Sequence, residues 1–97
     1  MQAISTTPSD DALIEIYTGP SCSYCRSAKA LLDRKQLAYR EIDVSVPAQR
    51  AAMQRRLPGA RTIPQIFVGR RHVGGYDDLE RLEASGGLEA LLREVIR

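Results

Sequence analysis

The 97-residue chain has no tryptophan, one phenylalanine, one histidine and only two cysteines. Each scarcity excludes something. Four tyrosines and a single phenylalanine give no aromatic platform for stacking bases, and 14 basic against 12 acidic residues leave a net charge of only +2. No nucleic-acid partner is expected from that balance. No apolar run approaches the ~20 residues that cross a bilayer, so no membrane partner is expected either. Residues 1–11 lack the basic start and apolar stretch of a secretory signal and the arginines of a transit peptide. They read as a mobile N-terminal tail ahead of one domain at residues 12–97, large enough for a single core. Two cysteines in one close motif suit a reducing cytoplasm better than a secreted disulfide scaffold. With His72 they fall short of the four ligands of a closed zinc site.

What is present reads as alternating strands and helices. Leu13-Ile14-Glu15-Ile16-Tyr17-Thr18 is a β-branched and aromatic run with Ile14 and Ile16 on one face, and Ala38-Tyr39-Arg40-Glu41-Ile42-Asp43-Val44 is a second, shorter strand. Between them a helix from about Cys22 to Lys35 carries Ala28, Leu31 and Leu32 on one stripe, so the two strands should be parallel. A second helix starts near Pro47, with Ser45 as its expected cap, and stops at Pro58-Gly59 with Met53 and Leu57 inward. Gln65-Ile66-Phe67-Val68 and Arg71-His72-Val73-Gly74 form a hairpin about Gly69-Arg70, the second strand at the edge. A third helix opens at Gly75-Tyr76-Asp77-Asp78 and ends at Gly86-Gly87. In the last helix Leu88, Leu91, Leu92, Val95 and Ile96 recur at i, i+3, i+4, i+7 and i+8. The order is β-α-β-α-β-β-α-α, an α/β fold with a four-stranded mixed sheet flanked by helices.

Three stretches carry chemistry. Ile16-Tyr17-Thr18-Gly19-Pro20-Ser21-Cys22-Ser23-Tyr24-Cys25 runs from a strand through a Gly-Pro turn into a helix. Cys22 falls at the helix mouth, where unpaired N–H groups and the helix dipole favour thiolate over thiol, so its pKa should lie below the free-cysteine value of ~8.5. Cys22 is the expected nucleophile. Cys25, one turn on and facing the core, is the expected resolving thiol. A structural disulfide is the poorer reading, because two intervening residues close almost no loop. Thr62-Ile63-Pro64 precedes a strand; with a cis proline, the Ile63 backbone would face outward to pair with an extended peptide. Gly74-Gly75-Tyr76-Asp77-Asp78 offers close backbone approach and helix N–H groups for a carboxylate, with Asp77 or Asp78 for an ammonium. An α-amino acid end carries both charges. The alternative is that both aspartates only complement the helix dipole.

Cys22-Ser23-Tyr24-Cys25, Thr62-Ile63-Pro64 and Gly74-Gly75-Tyr76-Asp77-Asp78, in that order and spacing, resemble a dithiol glutaredoxin. Ala28-Lys29-Ala30-Leu31-Leu32, Pro64-Gln65-Ile66-Phe67 and Gly86-Gly87-Leu88 resemble the bacterial glutaredoxin 3 type, and the likeness spans residues 14–92. It implies a thioredoxin-like fold, catalysis by Cys22 and Cys25, a cis Pro64, and glutathione held by Tyr24, Thr62, Ile63, Pro64, Gly75, Tyr76, Asp77 and Asp78. It further implies a monomeric cytoplasmic enzyme that acts on disulfide-containing or glutathionylated proteins. Glutathione is the co-substrate and no cofactor is tightly bound. Two departures stand out. Ser23 replaces the usual proline of Cys-Pro-Tyr-Cys. Some glutaredoxins with Cys-Ser-Tyr-Cys bridge a two-iron, two-sulfur cluster in a dimer, which would make Cys22 an iron ligand. Gly19 stands where many members carry a lysine for the glycine carboxylate of glutathione, and Arg55 or Arg56 is the expected substitute.

Overall fold

The fold was described from a computed structural model covering residues 13–96. The tail expected over residues 1–11 and the inward placing of the Ile96 side chain lie outside the described residues. Eight elements follow one another in the expected order: β1 (Ile14–Thr18), α1 (Ser23–Arg34), β2 (Tyr39–Asp43), α2 (Pro47–Arg56), β3 (Gln65–Val68), β4 (Arg71–Gly74), α3 (Tyr76–Ala84) and α4 (Gly87–Ile96). The sheet order is β2-β1-β3-β4. β1 pairs with β2 in parallel and with β3 antiparallel, and β3 pairs with β4 antiparallel.

Alternation along the strands divides the apolar residues between two faces. Ile14, Ile16, Ile66 and Val68 pack with Ala28, Leu31 and Leu32 of α1, Leu79 of α3 and Leu88 of α4. On the opposite face Tyr17, Ile42 and Phe67 pack with Val44 and with Met53 of α2. Ile16, Leu32, Ile66 and Leu79 are wholly inaccessible, and burying such a side chain stabilises the fold by ~1.5–3 kcal/mol.

Polar contacts pin the helices to this frame. The Lys35 ammonium, at the end of α1, lies 2.8 Å from Glu83 of α3 and also meets Glu89 of α4. The Glu83 and then the Glu89 hydrogen bond raise the Lys35 pKa, and the Lys35 hydrogen bond lowers that of Glu89. Ser45 does not cap α2. Its N–H donates to Asp43 Oδ1 at 2.8 Å in a tight turn, which lowers the Asp43 pKa and leaves Val46 at the N-cap with no side-chain bond. Pro47 does open the helix.

Register fixes where the chemistry falls. Tyr17 lies opposite Gln65, and Ile66 opposite Gly74. The end of β1, the start of β3 and the end of β4 therefore meet at one end of the sheet, and so do the three segments attached to them.

Candidate active site

The chain leaves β1 through Gly19-Pro20, and Ser21 turns it with a left-handed φ of 58°. Cys22 is then the N-cap of α1, with extended dihedrals of −110° and 108°. Its Sγ accepts the Cys25 backbone N–H at 3.1 Å, the position that a serine or aspartate oxygen takes at other helix starts. No acidic residue lies in the first turn of α1, so nothing else answers the positive end of the dipole. In the reduced protein the same N–H would stabilise a thiolate. Cys25 is buried and Cys22 partly exposed, and the two are joined in a disulfide, the oxidised form of the pair. Cys22 Sγ lies 4.0 Å from the Ile63 carbonyl oxygen.

Beyond Ile63 opens a cavity of about 420 Å³. Tyr24, Thr62, Ile63 and Pro64 line it from one side, and Gly75, Tyr76, Asp77 and Asp78 from the other. The Ile63–Pro64 peptide bond is cis. Tyr24 is 62% exposed, an unusual price for so large a ring, and it stacks on Tyr76 with centroids 6.3 Å apart. Gly74 has a φ of +119°, and a Cβ there would sit 2.8 Å from Asp78 Cγ, so only glycine lets α3 start this close to the strand. Asp78 Oδ2 accepts the Gly75 N–H at 3.0 Å, while Oδ1 pairs with Arg81 at 2.7 Å. The carboxylate caps its helix without leaving the cavity wall.

The glutaredoxin family profile matches residues 14–73. The chain belongs to the glutaredoxin family. It is 43% identical over 82 residues to glutaredoxin 3 of Escherichia coli (strain K12), an alignment covering 84% of this chain and 99% of that one. That similarity supports the glutaredoxin 3 type. Among solved structures it is similar to the buckwheat glutaredoxin–glutathione complex, with a TM-score of 0.74, 27% identity, and coverage of 88% of this chain and 80% of that one. A structure described as "Metal Binding of Glutaredoxins" is 54% identical with a TM-score of 0.63, over 84% and 88% of the two chains. The sheet and its helices have the thioredoxin-like arrangement, and this glutaredoxin is an oxidoreductase acting on thiols and disulfides.

Two side chains on the glutaredoxin cavity were not singled out from sequence. Gln65 and His72 line it beside Thr62, linked to each other at 2.8 Å. The signal lay in the strand pattern, since Gln65 opens β3 on the same face as Phe67, and Phe67 pairs with His72.

Of Arg55 and Arg56, the two expected substitutes for the missing lysine, Arg56 is tied into other contacts. No lysine or arginine lines the cavity. Arg56 is committed elsewhere: Nη1 meets Glu15 at 2.7 Å and the Tyr17 hydroxyl at 3.1 Å, and Nη2 donates to the Gly69 carbonyl at 3.2 Å. Its guanidinium lies 3.7 Å from the centre of the Phe67 ring. Lys29, close to the cysteine motif, is neutralised by Glu41 at 2.8 Å, a carboxylate that also accepts the Thr18 hydroxyl at 2.7 Å.

Proposed function

We propose that this glutaredoxin reduces glutathione–protein mixed disulfides and protein disulfides at the expense of glutathione. The observation that carries the reading is Cys22 at a helix N-cap, with an N–H on its sulfur and 4.0 Å from the carbonyl oxygen of Ile63, which lines a cavity shared with Asp78 and the start of α3. Cys22 thiolate attacks the glutathione sulfur of the mixed disulfide. The protein leaves as a thiolate and takes a proton from solvent, and glutathione stays on Cys22. A second glutathione thiolate then attacks that glutathione sulfur, giving glutathione disulfide and free Cys22. Alternatively, Cys25 thiolate attacks Cys22 Sγ, releases glutathione and forms the Cys22–Cys25 disulfide, which two further glutathiones reduce.

The peptide backbone of glutathione runs along Ile63, between Thr62 and Pro64. Its γ-glutamyl carboxylate meets the N–H groups of Tyr76 and Asp77 at the start of α3, and its ammonium meets Asp78. Tyr24 and Tyr76 flank the reacting sulfur. The buckwheat protein, solved with glutathione, supports glutathione as the ligand. The enzyme works as a monomer on disulfide-containing or glutathionylated proteins, in a cytoplasm that supplies reduced glutathione. The deciding experiment compares electron sources. Turnover of a glutathionylated peptide should proceed with glutathione and glutathione reductase and fail with thioredoxin reductase, and the reverse result overturns the reading.

The structure described as "Metal Binding of Glutaredoxins" favours a second state. Among the described residues no group of three or more His, Cys, Asp or Glu side chains gathers to hold a metal, and of the two cysteines Cys25 is buried and Cys22 partly exposed. A two-iron, two-sulfur cluster needs four thiolates, which Cys22 from two chains and two glutathiones would supply. Ser23, at the first position of α1, keeps an N–H beside Cys22 that proline would remove. Such a cluster would hold Cys22 as a ligand and block its reductase role. Anaerobic reconstitution with iron, sulfide and glutathione should give a coloured dimer, and a Ser23→Pro variant should assemble less of it. A colourless monomer, or equal assembly by Ser23→Pro, removes this state.

A further inference from the structure

The buried side-chain amide of Gln65 lies directly behind the expected glutathione loop, and among the described residues its polar contacts are with two cavity residues. Its Nε2 donates to both the Thr62 carbonyl oxygen and Thr62 Oγ1, each at 3.1 Å. A carbonyl can only accept, so the nitrogen must face Thr62 and Oε1 must face His72. His72 Nε2, 2.8 Å from that oxygen, must then carry its proton. Three bonds fix one orientation of a side chain that is 9% exposed. The His72 ring is itself held, tilted over Phe67 with centroids 5.0 Å apart.

The Thr62 hydroxyl accepts from Gln65, so its own proton is turned away from that amide, and Thr62 itself lines the cavity. We propose that Gln65 and His72 are positioning residues: His72 orients the Gln65 amide, and Gln65 sets both the Thr62 carbonyl and the direction in which the Thr62 hydroxyl donates to an acceptor on the bound glutathionyl group. The inference deepens the glutathione reading and rests on it.

The test uses the full chain, with a glutathionylated peptide as substrate and glutathione reductase to regenerate glutathione. His72→Phe keeps an aromatic ring against Phe67 and removes the donor. It should raise KM for the glutathionylated peptide about fivefold, the effect of one neutral hydrogen bond, with kcat within about twofold of native. His72→Gln, which restores an N–H donor, should recover most of that loss. Gln65→Leu should raise KM further. Long-range nitrogen–proton spectra of the native protein report directly on the proton at His72 Nε2 and need no variant, so the proposal stays testable if Gln65→Leu fails to fold. A neutral ring protonated only at Nδ1, an unchanged KM in His72→Phe, equal impairment in His72→Phe and His72→Gln, or a fall in kcat with KM unchanged each overturns the relay. Absence of glutathione-coupled turnover in the native chain is a different failure, since it removes the glutathione reading beneath it.

Discussion

Asp78 has a structural role and a proposed substrate role, and one substitution separates them. Its Oδ2 accepts the Gly75 N–H at 3.0 Å and its Oδ1 pairs with Arg81 at 2.7 Å, while the proposed function adds the glutathione ammonium. Asp78→Asn keeps an oxygen for the cap and removes the charge. The Arg81 pair joins side chains that are 73% and 48% exposed, so its loss costs about 0.2–1 kcal/mol. For a domain of this size that lowers Tm by about 5 °C or less. A hydrogen bond to a charged group contributes ~1.5–3 kcal/mol, and the exposure of Asp78 places it at the low end, close to a tenfold effect. Asp78→Asn should therefore lower kcat/KM for a glutathionylated peptide about tenfold. The control is a substrate whose γ-glutamyl group is replaced by glutaryl, which keeps the carboxylate arm and lacks the ammonium. On that substrate the native enzyme and the variant should agree within about twofold, because the charge has nothing to meet. Alkylation of reduced Cys22 should proceed at the native rate. Equal losses on both substrates would mean that the substitution acts through the start of α3. Full activity on glutathione would leave Asp78 a cap and nothing more.

The cysteines should be unequal: Cys22→Ser abolishes turnover, whereas Cys25→Ser keeps deglutathionylation through a second glutathione and loses reduction that needs an intramolecular dithiol. Equal loss of deglutathionylation in the two variants refutes the assignment of nucleophile and resolver. Arg56→Met should destabilise the fold by about 2 kcal/mol in urea unfolding, between the cost of a surface pair and that of a fully buried one, and leave KM for glutathione unchanged. A raised KM would return Arg56 to the substrate. The Lys35 cluster makes stability depend on pH at both ends. Glu89 has a lowered pKa, so its contribution is present above its ordinary value near 4.5 and is lost as pH falls through the folded value. Lys35 has a raised pKa, so its contribution is complete below 10.5 and is lost as pH rises through the folded value. Lys35→Met should flatten both limbs of the stability–pH curve, and unchanged limbs would refute the linkage.

The fold was legible where its cause is local. Ile14 and Ile16 alternate, Ala28, Leu31 and Leu32 recur at helical spacing, and Gly69-Arg70 marks a hairpin; these patterns need no knowledge of distant partners. The same holds for the three motifs, each attached to the end of an element whose direction the order of elements dictates. What stayed hidden depends on register or on remote partners. Gln65 meets His72 only because Phe67 pairs with His72 beside a bulge between Ile66 and Phe67. Arg56 is spoken for by Glu15 and Tyr17, about forty residues earlier in the chain. Gly19 is the case where residue type alone said least. Read as a lost lysine, it called for Arg55 or Arg56 elsewhere, and Arg56 is tied to Glu15 and Tyr17. The Gly19 backbone lies outside the left-handed region, so a side chain is sterically admissible there if Ile63 gives way: an added Cβ would sit 2.9 Å from Ile63 Cδ1, the far end of a flexible side chain. Restoring the cation should therefore work. Gly19→Lys should lower KM for glutathione about threefold at low salt, and the gain should fade as salt screens an exposed charge. Gly19→Gln, which displaces Ile63 in the same way and carries no charge, should give no gain. Equal effects from the two variants would assign the change to Ile63, and an unchanged KM in Gly19→Lys at low salt would place the glycine carboxylate away from Gly19 altogether.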